Sequence, residues 1–465
     1  MHSGWMILAG LALSSHTAMA APPADPAARW HAQGRALFEE IINIPSVEGR
    51  GRVGDVVNAL KREFIAAGIT DITVKPHDQT QTMFIRWKAA GKPAHKPILL
   101  MAHMDVVEAL RDDWSNDPFK FFEKDGYFYG RGTSDDKQGV MAITMSLLRL
   151  KAEGFKPKRD IIVMFTGDEE TAGNGAKRAS TEWRSLIDAE FALNADAGGG
   201  QFLKDGTAIG YGLQSAEKFY ATYSFTVRNS GGHSSRPRAD NAIYELATAL
   251  KKLEAHRFTP ALNETTRGYF TQRAKAEKGA LGDAMRRWLA NPDDGAAADL
   301  IEADATEVGL TRTRCVATRL EGGHADNALP QLARATVNCR ILPGTAPENV
   351  QAELQAAVEN AVEVKPTDVF GKSTPASPLR PDVVKAYSDA VHKRFPAMPI
   401  VPQMSTGATD GTFLRAAGIP VYGVDAAWLV IPDDERAHGK DERIPVKSFY
   451  DNLDIWHDMV AALAG

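Results

Sequence analysis

Cysteine is nearly missing from this chain: its 465 residues include two, Cys315 and Cys339. That excludes a disulfide scaffold and a cysteine-rich zinc cluster, so any metal must be held by histidines and carboxylates. Blocks of consecutive basic residues are missing too. Lys plus Arg number 54 against 59 for Asp plus Glu, a net charge of -5, and that balance gives no footprint for a nucleic-acid partner. No apolar run reaches the ~20 residues needed to span a bilayer, and there is no internal repeat or low-complexity tract. What remains is 44% apolar and 24% charged, an ordinary globular mixture. The length suits about three units, or one large domain carrying an insertion.

The longest apolar run, Trp5 to Leu13, is followed by Ala18-Met19-Ala20-Ala21, the small-x-small pattern of a signal-peptidase site. Residues 1–20 therefore read as a cleaved secretory signal. A noncleaved anchor is the weaker alternative, because the run is too short. The expected mature protein is secreted or periplasmic, with no membrane association once the signal is gone.

From residue 30 the pattern alternates helix and strand. Helical spacing marks Arg35 to Ile42, Val53 to Ala67 and Val140 to Ala152; buried-type strands are Pro97 to Met101, Ile161 to Phe165 and Phe191 to Leu193. Such alternation predicts an α/β sheet covered by helices on both faces. After Gly212 the order changes to strand Phe219 to Asn229, helix Asn241 to Leu253, strands Cys315 to Leu320 and Ala333 to Ile341, helix Glu348 to Asn360 and strand Val362 to Phe370. That is a βαββαβ, ferredoxin-like unit. The α/β pattern then resumes through helix Pro381 to Arg394, strand Val421 to Val424 and helix Val446 to Leu463. The predicted organisation is a discontinuous mixed-sheet catalytic domain, residues 30–213 and 375–465, with a lid domain at 214–374 that contains a helical insertion at 256–311.

Functional groups of an open α/β sheet collect past the carboxyl ends of its strands. Here the strand runs lead into His103-Met104-Asp105, Asp168-Glu169-Glu170 and Asn194-Ala195-Asp196, while Gly130 to Lys137 and Ala437-His438-Gly439 precede helices. Each has a bland reading alone: Asp135 as a helix N-cap, the paired glutamates as a solvated turn, His438 as a surface histidine. Together they offer two histidines and three carboxylates, a donor set suited to two zinc ions sharing one carboxylate and one water. Two divalent ions, three carboxylates and a hydroxide sum to zero charge, which leaves Glu169 free for proton transfer.

In this order, His103-Met104-Asp105, Gly130-Arg131-Gly132-Thr133-Ser134-Asp135-Asp136-Lys137, Asp168-Glu169-Glu170 and Gly231-Gly232-His233-Ser234 resemble the zinc metallopeptidase family (clan MH) of aminoacylase, carnosine dipeptidase, glutamate carboxypeptidase and succinyl-diaminopimelate desuccinylase. The resemblance covers about residues 30 to 460. It implies two Zn²⁺, replaceable by Co²⁺ or Mn²⁺, with His103 and Asp196 on one ion, Glu170 and His438 on the other, and Asp135 between them. It further implies Glu169 as general base, Asp105 as the carboxylate orienting His103, and a cis Asp135-Asp136 peptide bond. His233 is implied to contact the reacting carbonyl, in dimeric members from the neighbouring subunit, so a homodimer through the lid domain is expected. Asn327 and Arg340 resemble positions that hold substrate carbonyl and carboxylate groups, Arg340 fitting a strand-edge ion pair as well. The run Ser405 to Gly411 resembles the family's substrate loop, or is a plain turn.

Three functions fit these residues. The first is an exported dizinc peptidase acting on short peptides. The second keeps the site and takes an N-acyl or N-carbamoyl amino acid. The third, a noncatalytic periplasmic binding protein of the same fold, has no use for a free Glu169 beside two metals. Finally, a hairpin connection centred near Asn327 would set Cys315 opposite Cys339, within disulfide reach. A register slip of one residue would leave two buried thiols instead, and both outcomes stay open at this level.

Overall fold

Strand Ile98–His103 shows how the main sheet of the computed structural model is built. Ile98, Leu100 and Ala102 point into one apolar layer, and Leu99 and Met101 into another, the period-two alternation of a strand. Its neighbour Ile161–Thr166 repeats the pattern, with Ile161, Val163 and Phe165 on one side and Ile162 and Met164 on the other. Both strands are buried along their whole length, which is why they read as continuous apolar runs. Truncating such a residue, as in Leu100→Ala, removes about 2–5 kcal/mol.

The structure describes residues 27–369 and 372–465; the signal-like segment 1–20 and Phe370 lie outside them. Eight strands form the main sheet in the order Ile72–His77, Thr80–Trp87, Ile161–Thr166, Ile98–His103, Phe191–Leu203, Val421–Ile431, Ala208–Glu217 and Ile400–Ser405. The sheet is mixed: Ile98–His103 runs parallel to both of its neighbours, and Thr80–Trp87 is antiparallel to Ile161–Thr166. Helices Ala28–Ile42, Val53–Ala66, Lys137–Ala152, Pro381–His392 and Val446–Ala464 cover one face, and Asn174–Ser180 and Gly411–Ala416 the other. No helix among the described residues is long and apolar enough to cross a membrane.

Two expectations about strands change. Phe191–Leu203 does not stop at Leu193 but spans 13 residues in all, and its pairing with Val421–Ile431 slips between Gly423 and Asp425, where Asn194 gives way to Gly198. The two extra residues on this strand form a bulge around Ala195–Ala197, the kind of irregularity that re-aims a side chain, here Asp196. The glycines beyond it permit close approach: a Cβ on Gly200 would lie 2.5 Å from the Tyr211 ring. The main sheet also keeps Ala208–Glu217, so it extends slightly past the expected division at 213/214.

A second, antiparallel sheet has the order Arg314–Gly322, Leu332–Ile341, Phe219–Arg228 and Glu363–Val369. Helices Ala242–Ala255 and Pro347–Val358 bury Leu246, Leu253, Val350 and Leu354 against it. Cys315 lies opposite Cys339 and the two are joined by a disulfide, with Cα atoms 4.1 Å apart. The expected register holds as far as Ala317 opposite Val337, after which a bulge shifts Arg319 onto Thr336.

The insertion supplies helices Glu264–Ala276, Gly279–Ala290 and Gly295–Glu302 around Phe270, Met285, Trp288 and Ile301. It packs chiefly on the main sheet, meeting the second through the Glu302–Arg314 ion pair. Gly268 lies against Pro402, Thr265 Oγ1 is 2.6 Å from Ser215 Oγ, and Glu264 accepts from the Leu379 amide. The first of these helices thereby covers the edge strand Ile400–Ser405, which would otherwise present unpaired backbone groups.

Candidate active site

His103 ends its strand with a fully buried ring. Its Nε2 lies 3.0 Å from Asp135 Oδ1 and 3.7 Å from Asp196 Oδ1, and its Nδ1 lies 3.0 Å from the Asp105 carbonyl oxygen. His438 approaches from the opposite side, with Nε2 3.1 Å from Asp135 Oδ2 and 3.0 Å from Glu170. One carboxylate thus stands between two imidazoles, one oxygen toward each. Burial works against a charge on Asp135, but hydrogen bonds from His103 and His438 outweigh it and hold the carboxyl well below its usual range. Asp135 and Glu170 raise His438 to about 10, and burial pushes Asp196 up to about 6. A cluster of imidazoles and carboxylates this closely packed is a place for cations. Two groups fit them by distance: His103 with Asp135 and Glu170, and His103 with Asp136 and Asp196.

The turn after Ile161–Thr166 is held from beneath. Asp105 accepts the Glu169 amide at 3.2 Å and the Glu170 amide at 3.0 Å, so this one carboxylate fixes both glutamates as well as lying 3.5 Å from His103 Nδ1. Burial, followed by the nearby charge of Asp196, pushes the Glu169 carboxyl well above its usual range. A buried carboxyl beside the cluster is placed to take up and return a proton.

Several residues that the sequence reading passed over do positioning work. The loop Gly130 to Asp136 wraps around Glu442, whose buried carboxylate accepts from the amides of Gly132, Ser134 and Asp135 and pairs with Arg131 Nη1 at 2.6 Å. Arg131 also donates to the Gly439 carbonyl, which ties the Asp135 loop to the loop that carries His438. Asp136 accepts the His103 amide at 3.2 Å, and the Asp135-Asp136 peptide bond is cis, as the resemblance implied. Lys137 donates to the carbonyls of Ile41 and Ile44 at the end of the first helix, and burial holds its ammonium down to about 7. The run Ser405 to Gly411 is cinched by Glu217, which accepts from Thr409 and Thr412 and pairs with Arg415. Asp410 in that run accepts from Thr166 Oγ1 at 2.6 Å.

His233 and Asn327 come together apart from this cluster. Strands Gly232–His233 and Ala328–Leu329 pair, and the Ser234 amide donates to the Asn327 carbonyl. His233 is exposed, with Nδ1 accepting from the Ser235 amide. Arg340 stacks over the Tyr220 ring at 4.9 Å and lines a cavity of about 570 Å³ with Lys218, Leu253, Phe258, Val316 and Thr406. Among the described residues no hydrogen bond or ion pair joins His233, Asn327 or Arg340 to the residues around Asp135, and Arg340 does not form the strand-edge ion pair weighed for it.

Known proteins share the fold and the family pattern of this chain. The model of peptidase family M20/M25/M40 matches residues 99–462. The chain is 30% identical over 369 residues to the N-fatty-acyl-amino acid synthase/hydrolase PM20D1 of Homo sapiens, covering 77% of this chain and 72% of that protein. It is 28% identical over 390 residues to a probable carboxypeptidase S-like 2 of Dictyostelium discoideum, covering 82% and 74%. Its fold is that of an M20 family metallo-carboxypeptidase from Sulfolobus solfataricus, with a TM-score of 0.69 at 17% identity over 92% of this chain and 98% of that one. The paired histidines, the carboxylate between them and the matching family model lead to one conclusion: the chain belongs to peptidase family M20/M25/M40 and is a metal-dependent peptidase or amidohydrolase.

Proposed function

We propose that this protein is an exported dizinc hydrolase that cleaves the amide bond of short peptides, in the manner of a dipeptidase or carboxypeptidase. The observation that carries the reading is the Asp135 carboxylate, with one oxygen facing His103 and the other His438 at 3.0 and 3.1 Å. His103 and Asp196 would hold one ion, Glu170 and His438 the second, and Asp135 both. Such a pair of ions supplies Lewis acidity at the scissile carbonyl and acidifies a water enough for it to lose a proton near neutral pH.

The chain's own groups do the rest. Glu169 takes the proton of the attacking water and later returns it to the leaving nitrogen, a general base and then a general acid. Asp105 keeps His103 oriented and holds the Glu169 and Glu170 amides. His233 would steady the developing oxyanion, and Asn327 and Arg340 the substrate's carbonyl and carboxylate. These three stand apart from the cluster, so the reading requires the second sheet to swing toward the first, or a partner subunit to supply His233. Exposed Val316 and Leu320 on the edge strand Arg314–Gly322 give a second copy an apolar strip to pair with in a homodimer. Export rests on the Trp5 to Ala21 pattern, and recovery of a mature chain beginning at Ala21 tests it.

A second reading keeps the site and changes the substrate to an N-acyl amino acid, favoured by the likeness to a fatty-acyl-amino acid hydrolase. A panel of dipeptides against N-acyl amino acids on the zinc-loaded protein separates the two. In either case Glu169→Ala should lower turnover by about 10² to 10⁴ while both metal equivalents at the cluster remain. Loss of a metal equivalent in that variant would make Glu169 a ligand and overturn its assignment as the base.

A further inference from the structure

Behind the turn that carries Glu169 and Glu170, a second group of donors converges. His77 closes strand Ile72–His77, Asp78 follows it in the left-handed region at φ 49°, and Asp168 opens the turn after Ile161–Thr166. The His77 side chain is 0% exposed. Its Nε2 lies 2.9 Å from Thr82 Oγ1, and its Nδ1, also buried, has no hydrogen-bond partner. That atom faces two carboxylates, Asp78 Oδ2 at 3.6 Å and Asp168 Oδ2 at 3.9 Å.

These separations decide what stands between the groups. An N–H donating directly to a carboxylate closes to about 2.7–3.2 Å, and neither gap is that short. Ligands of a tetrahedral ion bound at ~2.0–2.2 Å lie roughly 3.3–3.6 Å apart; the Asp78 gap of 3.6 Å meets that spacing, the Asp168 gap of 3.9 Å must close slightly, and all three donor atoms fall within 4.8 Å of one another. The surroundings are shaped to keep the carboxylates in place. The Gly175 amide donates to Asp168 at 3.1 Å, and a Cβ on Gly175 would lie 2.4 Å from Thr82 Oγ1 and 2.7 Å from Asp168 Oδ1. Asn174 Nδ2 holds Asp78 Oδ2 at 3.1 Å.

We infer that His77 Nδ1, Asp78 and Asp168 form an additional divalent-cation site, sharing no ligand with the cluster around Asp135. Two carboxylates balance the charge of a divalent ion, Arg178 standing 3.6 Å from the outer Asp78 oxygen, and the imidazole nitrogen selects a borderline metal such as Zn²⁺ over Mg²⁺ or Ca²⁺. The ion's role is to pin Asp168, and through it the turn bearing Glu169 and Glu170, to the hairpin His77–Thr80. It does not depend on how many ions the cluster around Asp135 takes.

The test is zinc uptake by the metal-stripped mature protein, read as equivalents retained after gel filtration and as affinities by calorimetry with Zn²⁺ alone. Wild type should retain one equivalent more than Asp78→Asn or His77→Gln. An Asp135→Ala protein should keep one equivalent that a further Asp78→Asn removes, with affinity at that site falling at least tenfold. Asp78 lies on an exposed turn where Asn tolerates the left-handed conformation, so this variant answers the question even should the buried His77→Gln fail to fold. Equal uptake by wild type and Asp78→Asn would overturn the proposal, and so would an extra equivalent that survives both substitutions.

Discussion

Replacing Glu442 by Gln asks how much the arrangement around Asp135 owes to one buried charge. The Glu442 side chain is 0% exposed, and its two oxygens receive three backbone amides, the Ser134 hydroxyl at 3.1 Å and the Arg131 guanidinium at 2.6 Å. Glutamine has nearly the same shape but only one acceptor oxygen. If its amide group turns toward Arg131, the guanidinium, 2% exposed, becomes a buried charge without a counterion. If it turns the other way, an N–H₂ confronts the amides of Ser134 and Asp135. Breaking a buried pair from one side costs about 3–5 kcal/mol, and the unsatisfied amides add to that rather than offset it. Glu442→Gln should therefore lose about 3–5 kcal/mol in urea denaturation of the metal-free protein. Because the same pair joins the Asp135 loop to the His438 loop, zinc affinity of the remaining folded protein should fall about 10- to 100-fold, as for other groups that orient ligands. The double variant Arg131→Met/Glu442→Leu should recover part of the stability and none of the affinity. A loss below about 1 kcal/mol for Glu442→Gln, with unchanged zinc binding, would refute the reasoning.

Asp135→Ala should release both ions of its cluster together, since its two oxygens face one histidine each; calorimetry showing one of them retained would place the shared ligand elsewhere. Replacing both cysteines by Ala opens a loop with a sequence separation of 24, which by loop entropy costs roughly 3 kcal/mol. Mass spectrometry of the unreduced protein after thiol alkylation checks the bond itself, and two alkylated cysteines would contradict it. Lys218 donates to the Arg312 carbonyl, and burial holds its ammonium down to about 7. Between that value and its ordinary 10.5 the unfolded chain binds the extra proton, so stability rises with pH across this window. Lys218→Met should remove its share of the rise, leaving that of Lys137, in urea midpoints compared at pH 7 and 9; an unchanged rise would argue against a buried, neutral Lys218.

The central strands and the polar groups at their ends were legible because burial on both faces leaves an unbroken apolar run, as in Ile161 to Phe165. The edge strands of the main sheet were not, although those of the second sheet, Arg314–Gly322 and Glu363–Val369, were. Ile72–His77 contains Lys75 and Pro76, and Ile400–Ser405 contains Pro402 and Gln403; both owe their conformation to a neighbour in space rather than to local pattern. Asp196 was found for a reason only partly right, since a bulge rather than a strand end presents it. Glu442 was invisible among the charged residues from Asp433 to Arg443, because nothing in that run distinguishes a wholly buried carboxylate from a solvated one. The placement of the insertion could not be read either, as the docking of Gly268 on Pro402 has no counterpart in periodicity.

That docking changes the mechanics of the chain. A domain spliced into another by two crossings can turn about them like a door on paired pins. Here the backbone leaves the main sheet at Lys218, comes back to it with helix Glu264–Ala276, departs again into Arg314–Gly322 and returns once more after Glu363–Val369. Four passages join the two bodies, and the three inserted helices act as a strut braced against Pro402. Any swing of the second sheet would have to bend the connectors 256–263 and 303–313 as well as the outer pair, so four crossings rather than two resist it.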